Sequence, residues 1–235
     1  LEKRDRLLAA PSGEQRKLVT VLFADVVDFT VLSGRLDPED MREIMNEYFA
    51  AWRSAIEDEG GVVEKFIGDA VVAVFGLNRA HEDDPHRAVR AALALGRSLE
   101  DLNRRLDRRY GIELSMRVGI DTGEVVISTL GERGDGDYVV VGDRVNRAAR
   151  IQASAPPGGI LLSADTGRHI RGSFGLRLVE GLQLKGFEDA VDAFLVVSGE
   201  NQGFWLETRG IEGVATPTVG RELELGRLDK LFADV

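Results

Sequence analysis

The chain has 235 residues, 43% of them hydrophobic, which is enough to bury one full core flanked by tails. It contains no cysteine, which excludes disulfides, thiolate zinc sites and thiol nucleophiles and agrees with a reducing compartment. A formal charge of -10 argues against broad binding to nucleic acid or to an anionic membrane, yet leaves room for a local basic pocket that takes one polyphosphate. No apolar run is long enough to span a bilayer, and the first residues do not read as a signal peptide. The expectation is a cytoplasmic protein, or the soluble part of a larger one, with neither nucleic acid nor membrane as partner.

Residues 1–15 read as a charged tail or short helix broken by Pro11-Ser12-Gly13. The apolar run Leu18 to Ala24 predicts a strand, and Val26 to Thr30 a turn after it. Asp37-Pro38-Glu39-Asp40 has the cap, first-turn proline and acidic residues of a helix start, and that helix runs to about Glu59 before Gly60-Gly61. Val62 to Ile67 and Ala70 to Phe75 predict a hairpin around Gly68-Asp69. A second long helix begins at Asp83-Asp84-Pro85 and stops at Gly111.

The strand pattern returns at Leu114 to Ile120 and again at Glu124 to Thr129, so Thr122-Gly123 reads as the turn of a second hairpin. Residues 131–137 are polar and glycine-rich, a mobile tip before a short strand at Tyr138 to Val141 and a helix from Asp143 to Ala153. A short strand at Ile160 to Leu162, a helix at Asp165 to Arg171 and strands near 176–180 and 190–197 complete the domain. The order βαββαββαβ predicts an α/β (α+β) fold with a mostly antiparallel sheet and helices packed on it. Residues 199–235 read as a linker followed by a new amphipathic helix from Thr216-Pro217, which resembles the entry to an ATPase module downstream and equally fits a plain tail.

Two carboxylates stand out. Asp69 sits on the two-residue turn and Asp25 closes the first strand, and a pair of carboxylates at strand ends is what two divalent cations need. Asn146 and Arg150 are four apart and share one face of their helix.

Phe23 to Thr30, Lys65-Phe66-Ile67-Gly68-Asp69, Met116 to Gly123 and Val141 to Arg150 occur in the order and spacing of the class III nucleotide cyclase catalytic domain, which residues 16–198 resemble. The resemblance implies a ferredoxin-like βαββαβ core and a homodimer whose sites lie between two catalytic domains. It implies conversion of ATP to 3′,5′-cyclic AMP and pyrophosphate. By the same resemblance Asp25 and Asp69, with Val26, hold two Mg2+ or Mn2+ ions. Lys65 reads adenine, Asn146 orients the ribose, Arg150 stabilises charge on the α-phosphate, and Arg117 and Lys185 contact phosphates. The family's second base-reading position falls on Val139, which cannot hydrogen-bond a base, and Asp28 stands where the family usually has glycine.

Two other readings stay open: a nucleotide-sensing regulatory domain with little or no turnover, and a guanylyl or relaxed-purine cyclase. His81 and His86 flank Glu82-Asp83-Asp84-Pro85, but capping accounts for the acids and the histidines read as structural. No Gly-Lys-Ser/Thr phosphate loop occurs.

Overall fold

A computed structural model describes residues 15–129, 138–187 and 189–200. The tail over 1–14, the expected hairpin tip at 131–137 and the segment from 201 onward lie outside the described residues.

The elements, in chain order, are β1 (Gln15–Val26), α1 (Phe29–Ser33), α2 (Pro38–Asp58), β2 (Val62–Ile67), β3 (Ala70–Phe75), α3 (Asp84–Tyr110), β4 (Met116–Thr129), β5 (Tyr138–Val141), α4 (Asp143–Ser154), β6 (Ile160–Ser163), α5 (Ala164–His169), β7 (Phe174–Leu182) and β8 (Val191–Glu200). They build an eight-stranded sheet in the order β2-β3-β1-β4-β6-β8-β7, with β5 paired to β4. Every pairing is antiparallel except β4 with β6. The first four strands and the helices between them give the order 2-3-1-4, the ferredoxin-like arrangement, so this α+β expectation holds.

Alternation along β1 sorts the two faces of the sheet. Leu22, Ala24 and Val26 join Val71, Ala73 and Phe75 of β3 under α2 and α3. Val19 and Val21 face the other way, into a smaller cluster with Val72, Val74, Val140 of β5 and Ala148 of α4. Helix α2 buries Met41, Ile44, Met45, Tyr48, Trp52, Ala55 and Ile56, an apolar stripe at helical spacing that fixes its orientation on the sheet.

The second hairpin expected at Thr122-Gly123 does not exist. Strand β4 runs unbroken for 14 residues, because β1 pairs with it all the way from Gln15 opposite Ile127 to Val26 opposite Met116. Thr122 lies opposite Thr20, and their hydroxyls are 3.0 Å apart in the buried sheet. The two glycines of this strand serve close approach. A Cβ on Gly119 would lie 2.3 Å from the Ala148 carbonyl oxygen and from the Gln152 backbone nitrogen of α4, and one on Gly123 would lie 2.2 Å from Arg144 Nε. Helix α4 therefore rests directly on the strand backbone.

Smaller differences have local causes. Helix α1 was not anticipated, since five residues are too few for a periodic pattern. Asp37 makes no side-chain cap bond, and neither does Asp83, which pairs with Arg87 instead. Asp84 accepts from the His81 backbone N–H at 2.8 Å, and His86 lies buried in α3 with Nε2 3.0 Å from Ser173 Oγ, so that histidine is no loop residue. Gly119→Ala is expected to force α4 off the sheet and to lower stability by about 1–3 kcal/mol, read from the denaturant midpoint at constant slope.

Candidate active site

Asp69 follows Gly68 in the β2–β3 turn. Gly68 has φ 64 and Asp69 does not share the positive φ, the pattern of a II′ hairpin in which only the first central residue needs glycine. Asp25 ends the regular part of β1 on the face opposite α2 and α3, two residues beyond Phe23. The two carboxyl groups meet within hydrogen-bonding reach.

The Asp25 carboxyl is pushed up to about 7, first by burial and then by the hydrogen bond and negative charge of Asp69. The Val26 backbone N–H and the charge of Arg117 act in the other direction without cancelling the effect. Two half-buried acids held this close form a donor set suited to a divalent cation, whose positive charge would offset their repulsion. Tyr48 of α2 is 1% exposed, and its hydroxyl titration is raised mainly by burial and further by the charge of the two aspartates.

Arg117 lies directly opposite Asp25 in the β1–β4 ladder, and so on the same face. Its Nε is buried and has no hydrogen-bond partner among the described residues. Lys65, Val72, Phe23 and Gly119 form one row across β2, β3, β1 and β4, and Asp25 and Arg117 stand two residues further along. Lys65 is thus on the aspartate face, separated from Asp25 by two strand spacings of about 4.8 Å each.

Asn146 and Arg150 lie on the exposed side of α4. No hydrogen bond or ion pair occupies either side chain among the described residues. The two other arginines of the helix before Arg150, Arg144 and Arg147, point elsewhere. Arg144 is 2.8 Å from Asp165 and 3.4 Å from Asp121, and Arg147 reaches Asp165 at 3.8 Å. Burial raises the Asp121 carboxyl against Ser163, Arg144 and Arg147. At Asp165 burial is outweighed by Arg144, Arg168 and Arg147, which hold the carboxyl below its ordinary range. This network locks α4 to β4 and α5, leaving Asn146 and Arg150 free to meet a ligand.

Other predicted site residues are placed less closely. Lys185 is exposed on the β7–β8 turn, where buried Leu184 clusters with Ile151 of α4 and with Ala155 just after it. Val139 lies in β5 opposite Ser128. No bond among the described residues ties Lys185, Asn146 or Arg150 to the aspartates. Asp28 is exposed at φ 54, ψ 31, a left-handed backbone conformation that glycine adopts without strain. Sequence reasoning passed over Glu64. Its carboxylate accepts from Lys65 Nζ at 3.2 Å and from the Val140 N–H at 3.4 Å.

The family model for the adenylate and guanylate cyclase catalytic domain matches residues 12–208. The chain belongs to that family. It is 32% identical over 208 residues to the terminal-differentiation-specific adenylate cyclase of Dictyostelium discoideum, covering 83% of this chain and 10% of that protein. The cyclase domain here spans from a tenth to little more than a third of the length of the curated relatives it matches. Among solved structures, the adenylyl cyclase CyaB from P. aeruginosa is 31% identical with a TM-score of 0.73, over 80% of this chain and 97% of that one. The guanylyl cyclase Cya2 is 32% identical with a TM-score of 0.72, over 82% and 97%. These two structures, one of each kind, are equally similar to the chain, so likeness to them does not choose between ATP and GTP. No described helix of this cyclase domain is long and apolar enough to cross a membrane.

The raised Asp25 sets a pH signature. Because the folded carboxyl holds its proton to about 7 while the unfolded one releases it near 3.8, the unfolded chain binds fewer protons between these values and stability falls as pH rises through them. In metal-free protein the melting temperature is expected to fall from about pH 5 to about pH 7 and then level off, with divalent ions restoring it above that range. Asp25→Asn should flatten the slope and remove the response to metal.

Proposed function

We propose that the domain is an adenylyl cyclase that converts ATP to 3′,5′-cyclic AMP and pyrophosphate in a homodimer with shared sites. The observation that carries the proposal is the pair Asp25–Asp69 on the sheet face opposite α2 and α3, with Arg117 opposite Asp25. In the reaction the ribose 3′-oxygen forms a bond to the α-phosphorus and loses its proton. The bond from that phosphorus to the bridging oxygen breaks, and pyrophosphate departs with the electron pair.

Asp25 and Asp69, with Val26, would hold two Mg2+ or Mn2+ ions, which supply positive charge to the triphosphate and to the developing 3′-alkoxide. Arg117 adds a guanidinium on the same face. Asn146 and Arg150 suit the ribose and the charge that builds on the α-phosphate, since both are exposed and uncommitted. In the proposed dimer one protomer supplies Asp25 and Asp69 and the other supplies Lys65, Asn146 and Arg150. Lys65 at the base favours ATP. Val139 and the equal likeness to a guanylyl cyclase favour a second reading, a cyclase with relaxed purine choice.

Cyclic nucleotide production from ATP and GTP with Mn2+ or Mg2+ tests this. Asp69→Ala should abolish product, and Arg150→Ala should lower kcat by about 100- to 1,000-fold. Mixing the two inactive variants should restore about a quarter of parent activity, because random pairing gives half heterodimers with one intact site of two. Metal-dependent nucleotide binding without product would instead mark a regulatory nucleotide-sensing domain.

A further inference from the structure

Strand β2 does not alternate. Val63 and Phe66 both pack into the α2–α3 core although they are three residues apart, which period-two alternation forbids. The ladder resolves the conflict: Val63 lies opposite Ala73 and Lys65 opposite Val72, so Glu64 is the extra residue of a β-bulge. Without the bulge Lys65 would fall in the next register, on the helix-covered side. The bulge delivers it to the face of Asp25.

The carboxylate of Glu64 is only 4% exposed, whereas the Lys65 side chain is 45% exposed. Its Oε1 accepts from both Lys65 Nζ and the Val140 N–H, and its Oε2 is buried with no hydrogen-bond partner among the described residues. A lysine has a long flexible stem, and among the described residues no other hydrogen bond or ion pair fixes its head. One buried carboxylate thus joins the lysine to the strand that carries position 139.

We infer that Glu64 is the positioning residue of the base site: it holds the Lys65 ammonium and β5 in one geometry and thereby sets purine choice where Val139 offers no hydrogen bond. The inference rests on the nucleotide cyclase reading. Adenine presents an acceptor at N1 and guanine a donor, so a fixed ammonium rewards one and opposes the other, while a wandering ammonium discriminates poorly. Glu64 acts through Lys65 and β5 rather than by touching the reacting atoms.

The test uses 3′-deoxy-ATP and 3′-deoxy-GTP, which cannot cyclise, titrated with Mn2+ into the parent, Glu64→Ala, Glu64→Gln, Lys65→Ala and the double alanine variant, alongside turnover of ATP and GTP. The parent should prefer the adenine nucleotide. Glu64→Ala should reduce that preference by about tenfold, to the level of Lys65→Ala, and the double variant should go no lower. In turnover the KM for ATP should rise more than kcat falls. Glu64→Gln, which retains an acceptor for Val140, should fall between parent and Glu64→Ala.

An unchanged preference in Glu64→Ala, additive losses in the double variant, or a parent without preference would overturn the inference. So would unfolding of both Glu64 variants, which would mark a purely structural residue. If the preference shifts as expected while the parent makes no cyclic product, the cyclase proposal fails and the role of Glu64 stands. If the parent binds neither nucleotide, both fall.

Discussion

Two carboxylates, partly withdrawn from water, are held within hydrogen-bonding reach of each other. Left to themselves Asp25 and Asp69 would separate, so the surrounding structure must impose their proximity. It does so with rigid parts. The β1–β3 ladder fixes the strands from Thr20 opposite Phe75 to Ala24 opposite Val71, which places the ends carrying the two acids side by side. The II′ turn at Gly68 stops the chain from carrying Asp69 past that point, and the left-handed Asp28 turns it away immediately after β1. Fully buried Val71 to Phe75 anchor the hairpin in the core, so the strain has little freedom to relax.

The α4 side of the site follows a different logic. The helix is pressed onto backbone at Gly119 and onto an ion network at Gly123, where Arg144 occupies the space that a Cβ would take. Because Asp121 is fully buried and pairs with Arg144 of α4, which also reaches Asp165 of α5, the network couples the pose of the helix to the sheet. Removing one partner of such a buried pair leaves an uncompensated charge, which is why these contacts specify position as well as adding stability. Asn146 and Arg150 inherit that pose without taking part in it.

Much of this was legible in the sequence, and the failures are informative. The helix limits at Pro38 and Gly111, the hairpin at Gly68-Asp69 and the order of strands follow from caps, turn chemistry and periodicity, which act over a few residues. The false turn at Thr122-Gly123 arose because a glycine needed for close packing looks the same in sequence as one needed for a bend. Only the 12-residue pairing with β1 distinguishes them. Glu64 was passed over for a similar reason. Adjacent to a lysine it reads as one of two solvated charges, and its burial depends on β5, a strand more than 70 residues away in sequence. Asp25, Asp69 and Arg117 were recognisable as a set through resemblance, but their common face comes from the ladder.

Two exposed apolar residues lie where the proposed dimer would bring a second copy. Ile67 is 51% exposed, and alternation puts it on the face of Lys65, immediately before the Gly68-Asp69 turn. Val141 of β5 is 56% exposed just before α4 begins. Single exposed aliphatic residues need no explanation, yet these two border the base and aspartate regions. In a dimer with shared sites the same turn that positions Asp69 would also offer Ile67 to the second copy, so association and assembly of the aspartate site would depend on one hairpin. Displacing that hairpin would then weaken pairing and metal binding together, whereas altering the outward side chains of α4 would affect only the chemistry.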